Sequence, residues 1–176
     1  MAASGIPYTI TYNYTNGIGA TQLTGTPNYN ARIVINGNPG PGCSSDLTRQ
    51  FNTAVFSGPQ PGSLGLESRA NNMRSCASYR TDLAIARNVH VAHRGNVQFR
   101  LEAYNLFNTI TINNRNTTAN FANITSANTI TNLPYNPDGT PKANGAALPG
   151  GPAAGFGVAT TALPMRAMQA QLRFSF

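Results

Sequence analysis

An all-β chain, built as an antiparallel meander of about four strands, is what this sequence predicts, and three observations carry the prediction. Residues 167–176 read AMQAQLRFSF and alternate without a break. Met168, Ala170, Leu172, Phe174 and Phe176 are apolar, and Gln169, Gln171, Arg173 and Ser175 are polar. Two further segments, 79–91 and 97–107, alternate in the same way around a short polar turn. Gly 17 and Pro 12, together with many Asn and Thr, favour turns and strands over helices. A period of two gives a strand one oily face and one wet face.

Taken in order, the first strand is expected at 7–16, PYTITYNYTN. Tyr8, Ile10, Tyr12 and Tyr14 share one face there, and Thr and Asn the other. Residues 17–78 keep no clean period and are rich in Gly, Pro and Asn, with short strand candidates at 32–35 and 52–56. The second strand, 79–91, has Tyr79, Leu83, Ile85, Val89 and Val91 on its apolar side, with Arg87 as the charged exception. An arginine in that place can snorkel toward polar surroundings. After the turn 92–96, the strand 97–107 sets Val97, Phe99, Leu101, Ala103 and Phe107 against Gln98, Arg100, Glu102 and Tyr104. The two strands read as a hairpin. Residues 108–164 form a second long loop, and 167–176 closes the chain.

Ten alternating residues are about the length of a tilted strand that crosses a bilayer. Charged residues are only 10% of the chain and Trp is absent, unlike the surface of an ordinary soluble domain. The lack of any run of 18 apolar residues excludes a membrane helix but not a barrel, whose hydropathy signal is weaker. The expected fold is therefore the C-terminal segment of a transmembrane β-barrel in a bacterial outer membrane, with two long irregular loops, 17–78 and 108–164. With the chain end on the periplasmic side, both loops fall outside and the turn 92–96 inside, which is the asymmetry of outer-membrane barrels. Loops of this composition are expected to be large and poorly packed. The alternation would also serve a soluble or secreted all-β module for binding or adhesion, with one face of its sheet on a core.

Net charge is +7, from twelve Lys and Arg against five acids. The arginines stand singly along the chain and Lys142 is the one lysine, so the clustered footprint of a nucleic-acid binder is missing. In the strands, Arg80, Asp82, Arg100 and Glu102 fall on the wet side, where a barrel lumen would be. Charges of both signs there can pair across strands, and structural ion pairs are the expectation rather than acid–base chemistry. His90 and His93 read HxxH, but on a strand i and i+3 point to opposite faces and no third ligand stands near. No GxSxG, P-loop or dinucleotide fingerprint is present, so no enzyme, cofactor or metal is expected. Cys43 and Cys76, the only cysteines, lie in the first long loop, where an oxidising compartment permits a disulfide; free thiols are the alternative. The opening MAASGIPYT has neither a basic n-region nor an apolar h-region, so a barrel's export signal would have to lie upstream in a longer polypeptide.

With these segments placed, a resemblance emerges. FNTAVF at 51–56, SLGLESRANNMRSCASYRTDLAIARNV at 63–89, VQFRLEAYNLFN at 97–108, NTTANFANITSA at 116–127 and the closing QAQLRFSF follow one another in a recognisable order. Together they resemble the C-terminal end of TonB-dependent receptors of the Oar-like type, which carry a carboxypeptidase-regulatory-like N-terminal domain. Ser75-Cys76 stands where that pattern has Gly-Pro. The resemblance implies a parent barrel of about 22 strands around a plug, whereas about eight is the least that closes a barrel. It also implies the parent's import of a scarce ligand, with TonB reached only through N-terminal parts missing here. The partners implied are outer-membrane lipid and the barrel-assembly machinery, which would read the strand of Met168, Ala170, Leu172, Phe174 and Phe176.

Overall fold

The computed structural model describes residues 2–91, 95–136, 138–140, 142 and 155–175. In chain order the strands are β1 (Ala2–Ala3), β2 (Pro7–Tyr8), β3 (Thr11–Tyr14), β4 (Val34–Ile35), β5 (Phe56–Ser57), β6 (Met73–Arg74), β7 (Ser78–Tyr79), β8 (Leu83–Val91), β9 (Gly95–Tyr104), β10 (Ile112–Arg115), β11 (Thr118–Phe121), β12 (Ala159–Ala162) and β13 (Ala167–Ser175). One five-residue helix, α1 (Ala20–Thr24), and two short 3-10 turns are the only helical elements among the described residues. The all-β expectation holds.

The chain divides into two units. The smaller holds Met1–Ser4, Ala77–Thr111 and Leu163–Phe176. Its centre is a three-stranded antiparallel sheet in the order β13-β9-β8. Leu83 of β8 and Met168 of β13 both pair with Ala103 of β9, so the starts of β8 and β13 and the end of β9 share one end of the sheet. The expected hairpin is present, with β9 shifted two residues toward the turn. It stops at Asn105 because that residue takes a left-handed backbone (φ 53°), which asparagine tolerates better than most residues. Its side-chain oxygen accepts from the Thr109 amide at 2.9 Å and its side-chain nitrogen donates to the Thr109 carbonyl at 3.0 Å, fixing the turn. The expected strand 79–91 is split into β7 and β8, and β7 pairs with β1.

The larger unit holds Gly5–Cys76 and Ile112–Ala162, which take in most of the loops 17–78 and 108–164 expected to be poorly packed, and its core overturns that expectation. Tyr14, Phe56, Phe121, Phe156, Ile10, Ile33 and Val158 are essentially fully buried within it. Phe51, Phe56 and Phe156 meet edge to face with centroids 5.2–5.7 Å apart, a geometry aromatic rings favour. The core assembles because single aromatics far apart in sequence converge, and no local window of the sequence reveals that. β3 and β11 pair in parallel, Thr11 to Thr118 through Tyr14 to Phe121, joining the two segments. The Gln50 amide donates to the Gly157 carbonyl and the Gly58 amide to the Ala127 carbonyl, adding further ties between them.

The expected membrane strand 7–16 is corrected here as well. It is divided into β2 and β3 and belongs to the larger unit, where Tyr14 is buried and its hydroxyl donates to the Pro59 carbonyl at 2.7 Å. Its alternation is real, but the tyrosine face meets a protein core rather than an interface girdle. A Cβ on Gly58 would come within 2.3 Å of the Tyr14 hydroxyl, so that glycine is what lets the strand pack so closely. Of the strand candidate 32–35 only Val34–Ile35 is strand, as β4. The candidate 52–56 is corrected: Thr53–Val55 form a 3-10 turn, with the Asn52 side chain accepting from the Ala54 amide, and only Phe56 enters β5, which pairs with β4.

Candidate functional site

The feature that can do work is the sheet β13-β9-β8, because its register aligns the two faces of all three strands. Directly paired residues share a face. Leu83, Ala103 and Met168 form one row; Ile85, Leu101 and Ala170 the next; then Arg87, Phe99 and Leu172; then Val89, Val97 and Phe174. All but Arg87 are apolar. Leu83, Ile85, Val89, Phe99, Met168, Leu172 and Phe174 are between 46% and 63% exposed, so the face is uncovered. A contiguous apolar patch of this kind marks a surface that meets lipid or another protein.

The opposite face carries the rows Ala84, Glu102, Gln169; Ala86, Arg100, Gln171; Asn88, Gln98, Arg173; and His90, Asn96, Ser175. The charged pair Arg100 to Glu102 on this face lies along a strand. Pairing across strands by opposite charge, expected from the sequence, does not occur at Glu102. The register sets Ala84 and Gln169 beside it, and the Gln169 side-chain amide donates to its carboxylate. The Tyr104 hydroxyl donates to the same carboxylate at 2.9 Å. These partners occupy the carboxylate and leave it in a structural role.

Arg80 and Asp82 lie between β7 and β8 rather than in a regular strand. Arg80 Nε is 3.1 Å from Asp82 Oδ1, which also accepts from the Asn105 amide at 2.8 Å. Asp82 therefore holds the end of β9 to the entry of β8. Of the C-terminal strand residues, Met168, Ala170, Leu172 and Phe174 sit together on the apolar face, and Phe176 lies outside the described residues. His90 is on the polar face opposite Asn96, while His93 lies outside the described residues. Among the described residues no group of His, Cys, Asp or Glu is placed to hold a metal. Cys43 and Cys76 are joined in a disulfide in the larger unit, with Cα atoms 5.2 Å apart.

Sequence reading missed Gln169 as the partner of Glu102, because partnership across strands depends on register and not on period. It also missed Asn105 and Asn108. Both have positive φ, and Asn108 Oδ1 accepts from the Arg166 amide at 3.0 Å, closing the end of the β9–β13 ladder. The asparagines of YNLFN, directly after an alternating run, were the available signal.

Among known families, the model described as an outer membrane beta barrel domain matches residues 1–132. That span includes β8 and β9 and ends before β12 and β13. The search of curated proteins and the search of solved structures each give no match.

Proposed function

We propose that this chain, which belongs to the outer membrane beta barrel domain family, is the C-terminal wall segment of a TonB-dependent receptor of the Oar-like type. Its fold is all-β and its place is the outer membrane of a bacterium; the described strands do not close a barrel. The observation that carries the proposal is the register of β13, β9 and β8, which puts an uncovered apolar face on one side of the sheet and a polar face on the other across every row. In a barrel wall those faces meet lipid and lumen respectively. The receptor assignment rests on the resemblance of 51–56, 63–89, 97–108 and the closing strand to that family.

In this reading the role is structural rather than catalytic. The sheet supplies wall, and the long segments between strands supply ligand-facing loops. Import of a scarce ligand is driven by TonB acting on parts of the parent not contained here. The C-terminal strand, with Phe174 and Phe176, is what the assembly machinery recognises. The test is deletion of Phe176 in the full-length parent, which should reduce the protein recovered in the outer-membrane fraction. Undiminished levels would contradict the role of that strand. Uptake that persists in cells lacking TonB would contradict the receptor assignment and leave the barrel intact. A soluble β-module remains the rival, and the uncovered apolar face speaks against it: such a module would stay monomeric in detergent-free buffer, whereas this sheet should aggregate through its face and unpaired edges.

A further inference from the structure

The larger unit contains an arginine, Arg115, that rests against the Tyr8 ring but leaves one edge of its guanidinium without a hydrogen bond. Nε and Nη2 of Arg115, at the end of β10, are closed off from water and make no hydrogen bond. Those two N–H groups form one edge of the guanidinium fork, the edge whose parallel donors match the two oxygens of a carboxylate or phosphate. Arg115 is half-buried, and N–H groups withdrawn from water normally find a partner, because leaving them without one is costly. Arg115 instead lines a cleft of about 430 Å³ whose other walls include Asn113, Asn114, Thr117 and Ser75, with no acidic side chain among the lining residues. The guanidinium carbon lies 4.7 Å from the centre of the Tyr8 ring, which also borders the cleft.

We propose that this cleft binds an oxyanion, the carboxylate or phosphate group of a small ligand, on the Nε–Nη2 edge of Arg115. The amides of Asn113 and Asn114 and the hydroxyls of Thr117 and Ser75 are neutral donors of the kind that complete such a site. Tyr8 is the fixed wall. Its hydroxyl donates to the Gly42 carbonyl at 2.8 Å, and burial pushes its phenol up to about 12 while the charge of Arg115 pulls the other way. The ring therefore stays neutral, and a cation–π contact holds the guanidinium under it while the cleft is empty. Entry of an oxyanion exchanges that contact for a charge-assisted pair. Because that edge is closed off from water in this structure, binding requires the long arginine side chain to turn out from beneath the ring into the cleft it lines. The site belongs wholly to the larger unit and stands whether or not the parent depends on TonB.

The test uses the full-length parent protein in detergent, titrated by calorimetry with inorganic phosphate and, separately, with succinate. Saturable binding of at least one probe is expected; phosphate alone marks a phosphoryl ligand and succinate alone a carboxylate. Arg115→Gln should weaken binding at least about tenfold, and Arg115→Lys, which keeps the charge but loses the fork, should also weaken it. Arg69→Gln, at a residue outside this cleft, should leave it unchanged. If Arg115→Gln does not fold, the Nε–H resonance of Arg115 in the unsubstituted protein, assigned by comparison with Arg115→Lys, should shift on adding the probe that binds. Failure of both probes to saturate, equal affinity in Arg115→Gln, or an unmoved Nε–H resonance would overturn the proposal.

Discussion

The two units treat the same kind of residue in opposite ways. In the sheet, Phe99, Leu172 and Phe174 lie about half exposed or more, on a face left uncovered among the described residues. In the larger unit, Phe56, Phe121 and Phe156 are essentially fully buried against one another and against Tyr14 and Ile33. Both regions take their order from apolar side chains, but only the larger unit satisfies them with protein. The sheet's regular period follows from a planar environment that treats every row alike, as lipid does. The larger unit's irregular spacing follows from a closed core in which each aromatic has a private set of neighbours. A period kept in register across three paired strands fits a surface completed by something uniform, although the single strand 7–16 shows that alternation also serves a core, and the absence of a period need not mean disorder.

The sharpest way to break that comparison is to remove one aromatic from each region. Phe156→Ala should destabilise the larger unit by about 3–5 kcal/mol, read from urea unfolding followed by tyrosine absorbance. Phe174→Ala should leave the stability of the larger unit within about 0.5 kcal/mol. Equal effects on that unit would mean that the two regions are not separately built.

Next in size is the disulfide. Cys43 and Cys76 are 33 residues apart, and opening the bridge restores chain entropy to the unfolded state. Reduction should lower the stability of the larger unit by about 3–4 kcal/mol, while the hydrogen-exchange protection of β8, β9 and β13 stays as it was.

The smallest effect expected is a pH dependence. The Thr48 hydroxyl and then the Thr48 amide donate to Asp46, holding its carboxyl below the ordinary value of 3.8. Its contribution is therefore present above that value and is lost as pH falls through the lower folded value. Asp46→Asn should flatten the acid limb of the larger unit's stability curve. An unchanged limb would show that the Thr48 contacts do not persist in solution.

Much of the sheet was legible in the sequence. The period over 79–91, 97–107 and 167–176 marked three strands and their faces, and the short turn marked the hairpin, although β8 starts only at Leu83 and β9 runs from Gly95 to Tyr104. What period cannot give is register, which is why the pairing of Glu102 with Gln169 appears only in three dimensions. The segment 7–16 misled because a tyrosine face packed into a core has the same spacing as one at a membrane interface. The larger unit was illegible for a different reason. Phe121 and Phe156 stand far along the chain from Phe51 and Phe56, and the parallel pairing of Thr11–Tyr14 with Thr118–Phe121 spans more than a hundred residues. Arg115 looked like one more solitary arginine, and only its unpartnered nitrogens beneath Tyr8 set it apart.

The central claim is that the two faces of the sheet meet different solvents. Adjacent positions on β13 test it most directly, because Leu172 and Gln171 point to opposite sides. Nitroxide labels placed through Leu172→Cys and, separately, Gln171→Cys in the membrane-assembled protein can be compared by power saturation with oxygen and with a water-soluble nickel complex. Cys43 and Cys76 are bonded to each other and would not take the label. The label at position 172 should be relaxed mainly by oxygen, as in hydrocarbon, and the label at 171 mainly by nickel. Equal access of nickel to both positions would contradict a lipid-facing wall and return the sheet to a soluble module.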